Sequence, residues 1–292
     1  MGEGDLVDRN IVMELRLPRV LLGILVGGGL AVAGATFQAL LRNPLAEPYI
    51  LGISGGASVG AVLVLALGWT IAGSWILPIA AFAGALVAIT LVFRIATTTG
   101  RAMDVRVLLL AGVVVAAFFS ACIALIFSIS SAQTVQSTVL WIMGSLAAAN
   151  WQSVALTATY TLPATLLLMR LARPLNLMAI GEETAHYLGA DVEGVKRASL
   201  GIAALITASG VAVAGVIGIV GLVVPHTIRL LVGSDHRALL PLSFVAGATL
   251  LTLADIAARL VLSPTEIPIG VITAFVGVPL FLTLLRRNLS TP

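Results

Sequence analysis

From residue 107 to residue 169 the chain contains no Asp, Glu, Lys, Arg or His. A soluble domain has little use for such a stretch, whereas a bilayer requires it: a hydrocarbon core of ~30 Å is crossed by about 20 apolar residues in one helix. The rest of the chain agrees, with 59% hydrophobic and only 10% charged residues over 292 positions. A transmembrane β-barrel is excluded because the apolar runs are continuous rather than alternating. The fold class is therefore all-α, a polytopic transmembrane helical bundle with broken or half helices, forming a single domain over residues 1–292.

Nine apolar runs are candidate crossings, at residues 20–41, 50–67, 76–93, 107–129, 154–169, 198–213, 216–231, 239–257 and 267–285. With odd-numbered crossings running inward, Arg42, Arg94, Arg101, Arg106, Arg170, Arg173, Lys196, Arg197, Arg229, Arg237, Arg286 and Arg287 face the cytoplasm. Only Arg9, Arg16, Arg19 and Arg259 then lie outside, and the positive-inside rule fixes that orientation, with the C-terminus cytoplasmic. The basic pI of 9.6 reflects this sorting, since no basic stripe for nucleic acid forms. Residues 1–19 become an extracytoplasmic lead-in without the apolar stretch of a signal peptide, which reads as a further N-terminal crossing missing from the chain.

The long uncharged stretch ends in a polar island, residues 170–197, which this orientation makes a cytoplasmic loop between the fifth and sixth crossings. Inside it, Gly181, Glu182, Glu183, Thr184, Ala185, His186, Tyr187, Leu188 and Gly189 spell a short surface helix, acidic at its start and with a glycine stop. Such a helix between two spans is a docking element. Small residues recur every fourth position at Gly23, Gly27, Ala31, Ala35 and Ala39, and at Gly52, Gly56 and Gly60, where helices can approach closely. Two segments interrupt the pattern: residues 128–150, polar-spotted around Trp141, Met143, Gly144 and Ser145, and residues 263–270. Paired interruptions point to a transport path. A faint repeat relates Arg19, Gly23 and Ile24 to Arg197, Gly201 and Ile202, each followed by Ala-Val-Ala-Gly, in spans of opposite direction.

Several chemistries are excluded. The only lysine, Lys196, follows no glycine-rich phosphate loop, so ATP is not bound in that manner and any hydrolysis falls to a partner. The single Cys122 and the spacings of His186, His226 and His236 make no metal site, and no nucleophile, base and orienter assemble. Within the spans, ionisable side chains away from the ends occur only at Asp255 and Arg259, four apart and able to pair on one helix face.

Ordered motifs through nearly the whole chain resemble the membrane permeases of type II ABC importers, which take up iron–siderophore complexes, haem or cobalamin. They begin with Leu15-Arg16-Leu17-Pro18-Arg19, then Gln38-Ala39-Leu40-Leu41-Arg42-Asn43-Pro44-Leu45-Ala46-Glu47-Pro48 and Leu51-Gly52-Ile53-Ser54-Gly55-Gly56-Ala57. Further on come Trp141, Met143 and Gly144, the Gly181 to Ala185 motif, Gly221-Leu222-Val223-Val224-Pro225-His226, and Asp235-His236-Arg237 with Leu239-Leu240-Pro241. The last are Ala254-Asp255 with Ala258-Arg259, and Glu266-Ile267-Pro268-Ile269-Gly270-Val271-Ile272-Thr273-Ala274.

The resemblance implies ten spans and a pair of permease copies, working with two ATPase subunits and an extracytoplasmic binding protein in the bacterial inner membrane. It implies that Arg16, Arg19 and Arg259 dock the binding protein, and that Gly181, Glu182, Glu183, Thr184, Ala185, Leu188 and Gly189 couple to the ATPase. Asp104, Val105, Arg106 and Val107 correspond to a cytoplasmic gate, with bulkier or charged residues where the family has small polar ones. Trp141, Met143, Gly144 and Ser145 would line the path. The chain itself would bind no cofactor and perform no covalent chemistry, ATP and magnesium being held by the ATPase. The reading is a permease for iron chelates, with a cobalamin permease and, from another class, an ion-coupled secondary transporter using Asp255 as the alternatives.

Overall fold

The structure is a computed structural model that describes residues 8–69, 75–97 and 103–289, with residues 284–289 as backbone alone. Among the described residues there are twelve α-helices, one short 3-10 helix at Pro48–Leu51 and no strand. They are α1 (Asp8–Leu40), α2 (Ile53–Ala66), α3 (Ile76–Thr97), α4 (Val105–Ile129), α5 (Ala132–Ile142) and α6 (Trp151–Arg170), followed by α7 (Ala172–Ile180), α8 (Glu182–Tyr187), α9 (Val192–Ala214), α10 (Val220–Val232), α11 (His236–Leu260) and α12 (Ile269–Leu289).

Each of the nine expected runs falls on one helix, but they are not nine equal crossings. Helices α1, α3, α4, α9 and α11 are long and apolar enough to span, and α6 with α7 is so only as a pair that bends by 58° at Leu171. Helix α2 has 14 residues and α10 has 13. At 1.5 Å per residue they reach only ~20 Å, short of the ~30 Å core. The runs at 50–67 and 216–231, expected as full crossings, are thus short helices preceded by non-α-helical backbone. Helix α12 is likewise apolar over a shorter length, Ile269–Thr283, within its described side chains. The polar island, expected as a loop holding one short helix, contains α7, α8 and the first turns of α9.

Helix α1 is the axis of the bundle, buried on nearly every side from Leu22 to Leu40, as expected of a helix that is apolar all round. Glycine makes this possible. A Cβ on Gly27 would collide with the backbone of Gly247 on α11, and one on Gly34 with the backbone of Gly221 on α10. The second small-residue stripe works the same way, Gly56 and Gly60 lying against Gly84 and Ala80 of α3. With so little hydrophobic drive between helices in lipid, this close packing is what holds them together. The proposed repeat is only partly reflected: α1 and α9 do pack antiparallel, with Gly29 against Ile206 and Gly210 against Val26, but Gly201 faces open space while Gly23 packs on Leu146 and Thr252.

The start of α1 is wound as a π-helix, Ile11–Arg16. Within it the Met13 carbonyl accepts a hydrogen bond from the Trp151 indole at 3.1 Å, tying α1 to the start of α6.

Gly34→Ala is expected to destabilise the protein by about 1–3 kcal/mol through overpacking, read as a lower thermal midpoint in detergent. Gly201→Ala, with nothing within 4 Å, should be neutral or stabilising by up to ~1 kcal/mol.

Candidate functional site

Three helix breaks, one ion cluster at each end of the bundle, and the cavities between them carry the functional geometry. The first two breaks face each other. After α1 the chain runs without α-helix to Gly52, and between α9 and α10 it is non-helical from Gly215 to Ile219. Glu47 Oε1 accepts from the Ile219 amide at 2.7 Å. The Tyr49 hydroxyl accepts from the Ile217 amide and donates to the Ile217 carbonyl, at 3.2 and 3.1 Å. Ile219 has φ +75°, a conformation that costs a β-branched residue about 1–3 kcal/mol and persists only where surroundings enforce it.

Gln38 completes this junction. Pro225 lies inside α10 and has no N–H to give the Gly221 carbonyl four residues back. Gln38 Nε2 donates there instead, at 3.4 Å, and to the Leu222 carbonyl at 3.1 Å, while its oxygen accepts from Arg229 at 2.8 Å. None of Gln38, Glu47, Tyr49 and Ile219 stands out in the sequence as a site residue; the available signal is polar side chains and Pro44, Pro48 and Gly52 crowded between two apolar runs.

The third break joins the two interruptions that the sequence does reveal. Residues 143–150 leave helix at Met143 and Gly144, and the first amides of α12 dock on them: Ile269 N–H donates to the Gly144 carbonyl and Gly270 N–H to the Met143 carbonyl, both at 3.0 Å. The Ser145 amide donates to the Ala214 carbonyl at 2.9 Å. The four predicted path residues divide between two cavities. Met143 lines one of about 610 Å³ with Val216, Gly270, Val271, Ala274 and Phe275. Trp141 and Ser145 line another of about 500 Å³ with Trp75, Asn150 and Gln152. Gly144 is buried between them at φ +79°.

At one end of the bundle Arg19 forks between two carboxylates. It meets Asp255 at 2.9 Å and Glu266 at 2.9 Å, and Asp255 also pairs with Arg259 at 3.2 Å. The Arg19 side chain is 11% exposed and that of Asp255 3%. Of the three arginines expected to dock a binding protein, Arg16 is exposed, Arg19 is paired with Asp255 and Glu266, and Arg259 is partly exposed. The expected Asp255–Arg259 pair is thus half of a four-membered cluster. Glu266, in the turn before α12, has its pKa lowered, chiefly by the Arg19 hydrogen bonds.

At the other end, α8 presents Glu183, Thr184, His186, Tyr187 and Leu188 outward, with Tyr187 79% exposed. Ala185 is fully buried against the bundle. Glu182 also turns inward, to Lys196 at 2.8 Å and Arg42 at 4.0 Å, so it is not part of the displayed face as its sequence position suggests. Gly189 ends the helix at φ +82°, as a glycine stop should. Tyr187, absent from the predicted contact set, is the largest apolar group on this face. Asp104 caps α4 by accepting from the Arg106 amide at 2.7 Å. Residues 104–106 line a cavity of about 800 Å³ with Arg42, Glu182, Glu183 and Thr184, and Val107 lies just beyond, partly buried. Among the described residues no group of three His, Cys, Asp or Glu is placed to hold a metal. His236 hydrogen-bonds Asn176 and His186 is exposed.

A model of the FecCD transport family matches residues 1–287. The chain belongs to that family. The ABC transporter permease YvrB of Bacillus subtilis, itself described as uncharacterized, is 44% identical over 99% of this chain and 82% of its own length. The cobalamin import permease BtuC of Halobacterium salinarum is 43% identical over 94% and 73%, and the hemin transport permease HmuU of Yersinia pestis 41% over 96% and 84%. A solved transporter of the metal-chelate ABC type, in an inward-facing conformation, superposes with a TM-score of 0.90 at 33% identity, over 98% of this chain and 91% of that one. This FecCD-family chain is thus a multi-pass membrane permease of ABC importers, and not an enzyme.

The lowered Glu266 pKa gives a signed pH dependence. Its stabilisation is present above the ordinary Glu value of about 4.3 and is lost as pH falls through the lower folded value. Thermal melts should therefore show a loss at acidic pH that shrinks in Glu266→Gln.

Proposed function

We propose that this chain is the pore-forming subunit of an importer for iron chelates, siderophore or haem. Two copies form the path, each gripped by an ATPase subunit on the cytoplasmic side, and a binding protein delivers the chelate from outside the bacterial inner membrane. The observation that carries the chelate class is the match to the metal-chelate type transporter over 98% of the chain, and the hemin permease relative supports it. A cobalamin permease is the second reading, favoured by the 43% identity to the halobacterial protein.

In this reading the end with α8 is cytoplasmic, and so is the C-terminus. Tyr187 and Leu188 enter a cleft on the ATPase, with Glu183 and Thr184 beside them. The gate is residues 104–107, across the cavity from α8. The opposite end receives the binding protein through exposed Arg16, with Arg259 at the margin and Arg19 bracing it from within. The apolar cavity around Met143 and Phe275, with Phe275 76% exposed, lies toward the second copy and the shared path. No cofactor is held by this chain; ATP and magnesium belong to the partner. Binding and hydrolysis there would alternate access from one face to the other, and a broad apolar path need not hold the cargo tightly.

Reconstitution with ATPase and binding protein should give ATP-dependent accumulation of a ferric siderophore or haem. Uptake of cobalamin alone would favour the second reading, and uptake driven by an ion gradient without ATPase would overturn both. Tyr187→Asp with Leu188→Asp should reduce ATPase co-purification by about tenfold or more, as loss of a central apolar anchor does, with the permease still inserted.

A further inference from the structure

Lys196, the chain's only lysine, is 1% exposed and has three partners on three elements. Its ammonium donates to Glu182 of α8 at 2.8 Å and to the Met103 carbonyl, just before α4, at 2.6 Å. It pairs with Glu193 in the first turn of its own helix, α9, at 2.7 Å. Glu193 closes the loop by accepting from the Met103 amide at 3.1 Å. An ammonium has three donors and no acceptor, so this one is saturated.

The surroundings make the arrangement more than a neutralised burial. The cavity of about 800 Å³ lies between α8 and the start of α4, and among the described residues no backbone hydrogen bond joins α8 to Met103 or to the first turn of α4. The polar link between α8 and the segment before α4 therefore runs through side chains. The ionic hub spans the gap by another route: Glu182 to Lys196 to Met103, adjacent to Asp104. Buried ion pairs of this kind give little net stability over an apolar replacement, and specifying one geometry is a better-attested role for them.

We propose that Lys196 is the positioning residue that transmits movement of α8 to the gate segment 104–107, acting as a tether between the ATPase-facing helix and the start of α4. This rests on the reading of α8 as the ATPase-docking helix. The two fail differently: loss of docking removes the ATPase, whereas loss of the tether leaves it bound but uncoupled.

The test uses the complete complex of permease, ATPase and binding protein in liposomes, with Lys196→Met, Lys196→Arg and Glu182→Ala. Lys196→Met should co-purify with the ATPase and hydrolyse ATP, but transport about tenfold less cargo per ATP, within the usual range of coupling between two sites. Lys196→Arg should recover part of that ratio. Spin labels at Thr184→Cys and Arg106→Cys, in a Cys122→Ala background, should keep a narrow distance distribution with and without ATP when Lys196 is present. In Lys196→Met that distribution should broaden or shift when ATP binds.

Cargo per ATP within twofold of the parent, together with an unchanged label distance, would overturn the proposal. Loss of ATPase co-purification by inserted Lys196→Met would overturn it too, by making Lys196 part of the docking surface. Should Lys196→Met not insert, Glu182→Ala decides, because it removes the acceptor on α8 and leaves Lys196 with Glu193 and Met103. Uncoupling there supports the tether, and full coupling refutes it.

Discussion

In hydrocarbon every backbone amide and carbonyl must find a partner within the protein, and that requirement organises this molecule. Where the chain is helical the ladder meets it. Where the chain breaks, the breaks are brought face to face so that each supplies what the other lacks. Glu47 and Tyr49 satisfy the amides of Ile219 and Ile217, Gln38 replaces the donor that Pro225 cannot provide, and the first amides of α12 rest on the carbonyls of Met143 and Gly144. Half helices such as α2 and α10 are stable only because these junctions exist.

Packing and charge divide the remaining work. The middle of the bundle is held by glycine-mediated backbone contact, with Gly27 on Gly247, Gly34 on Gly221 and Gly56 on Gly84. The two ends are held by ion clusters, Arg19 with Asp255, Glu266 and Arg259 at one and Lys196 with Glu182 and Glu193 at the other. In each, a buried cation has more than one carboxylate, so losing one partner does not strand it.

Much of this was legible beforehand because it follows from long-range composition. The uncharged stretch ending at Met169 dictates spanning helices, the Gly23 and Gly52 stripes dictate close packing, and Gly181 to Gly189 dictates a short exposed helix. The pairing of residues 41–52 with 215–219 was not legible: the apolar run at 216–231 passes straight through Ile217 and Ile219, and hydropathy does not register that Ile219 leaves helical geometry. The directions of individual side chains were also hidden. Glu182 and Glu183 are neighbours in sequence, but a helix turns successive residues by about 100°, so one meets Lys196 while the other meets solvent. Arg19 looked available because its partners, Asp255 and Glu266, are more than 230 positions away.

That separation has a consequence for how the protein is made. Helix α1 is synthesised early, yet the helix bearing Asp255 follows 236 residues later, about 12–47 s at 5–20 residues per second. During that interval the glycine faces of α1 have only lipid or earlier helices beside them, and the guanidinium of Arg19 must remain at the headgroup level. Membrane integration of the central helix is thus separated in time from its capture by α9, α10 and α11, and a ribosome that stalls before Asp255 leaves the hub of the bundle without its counter-charge.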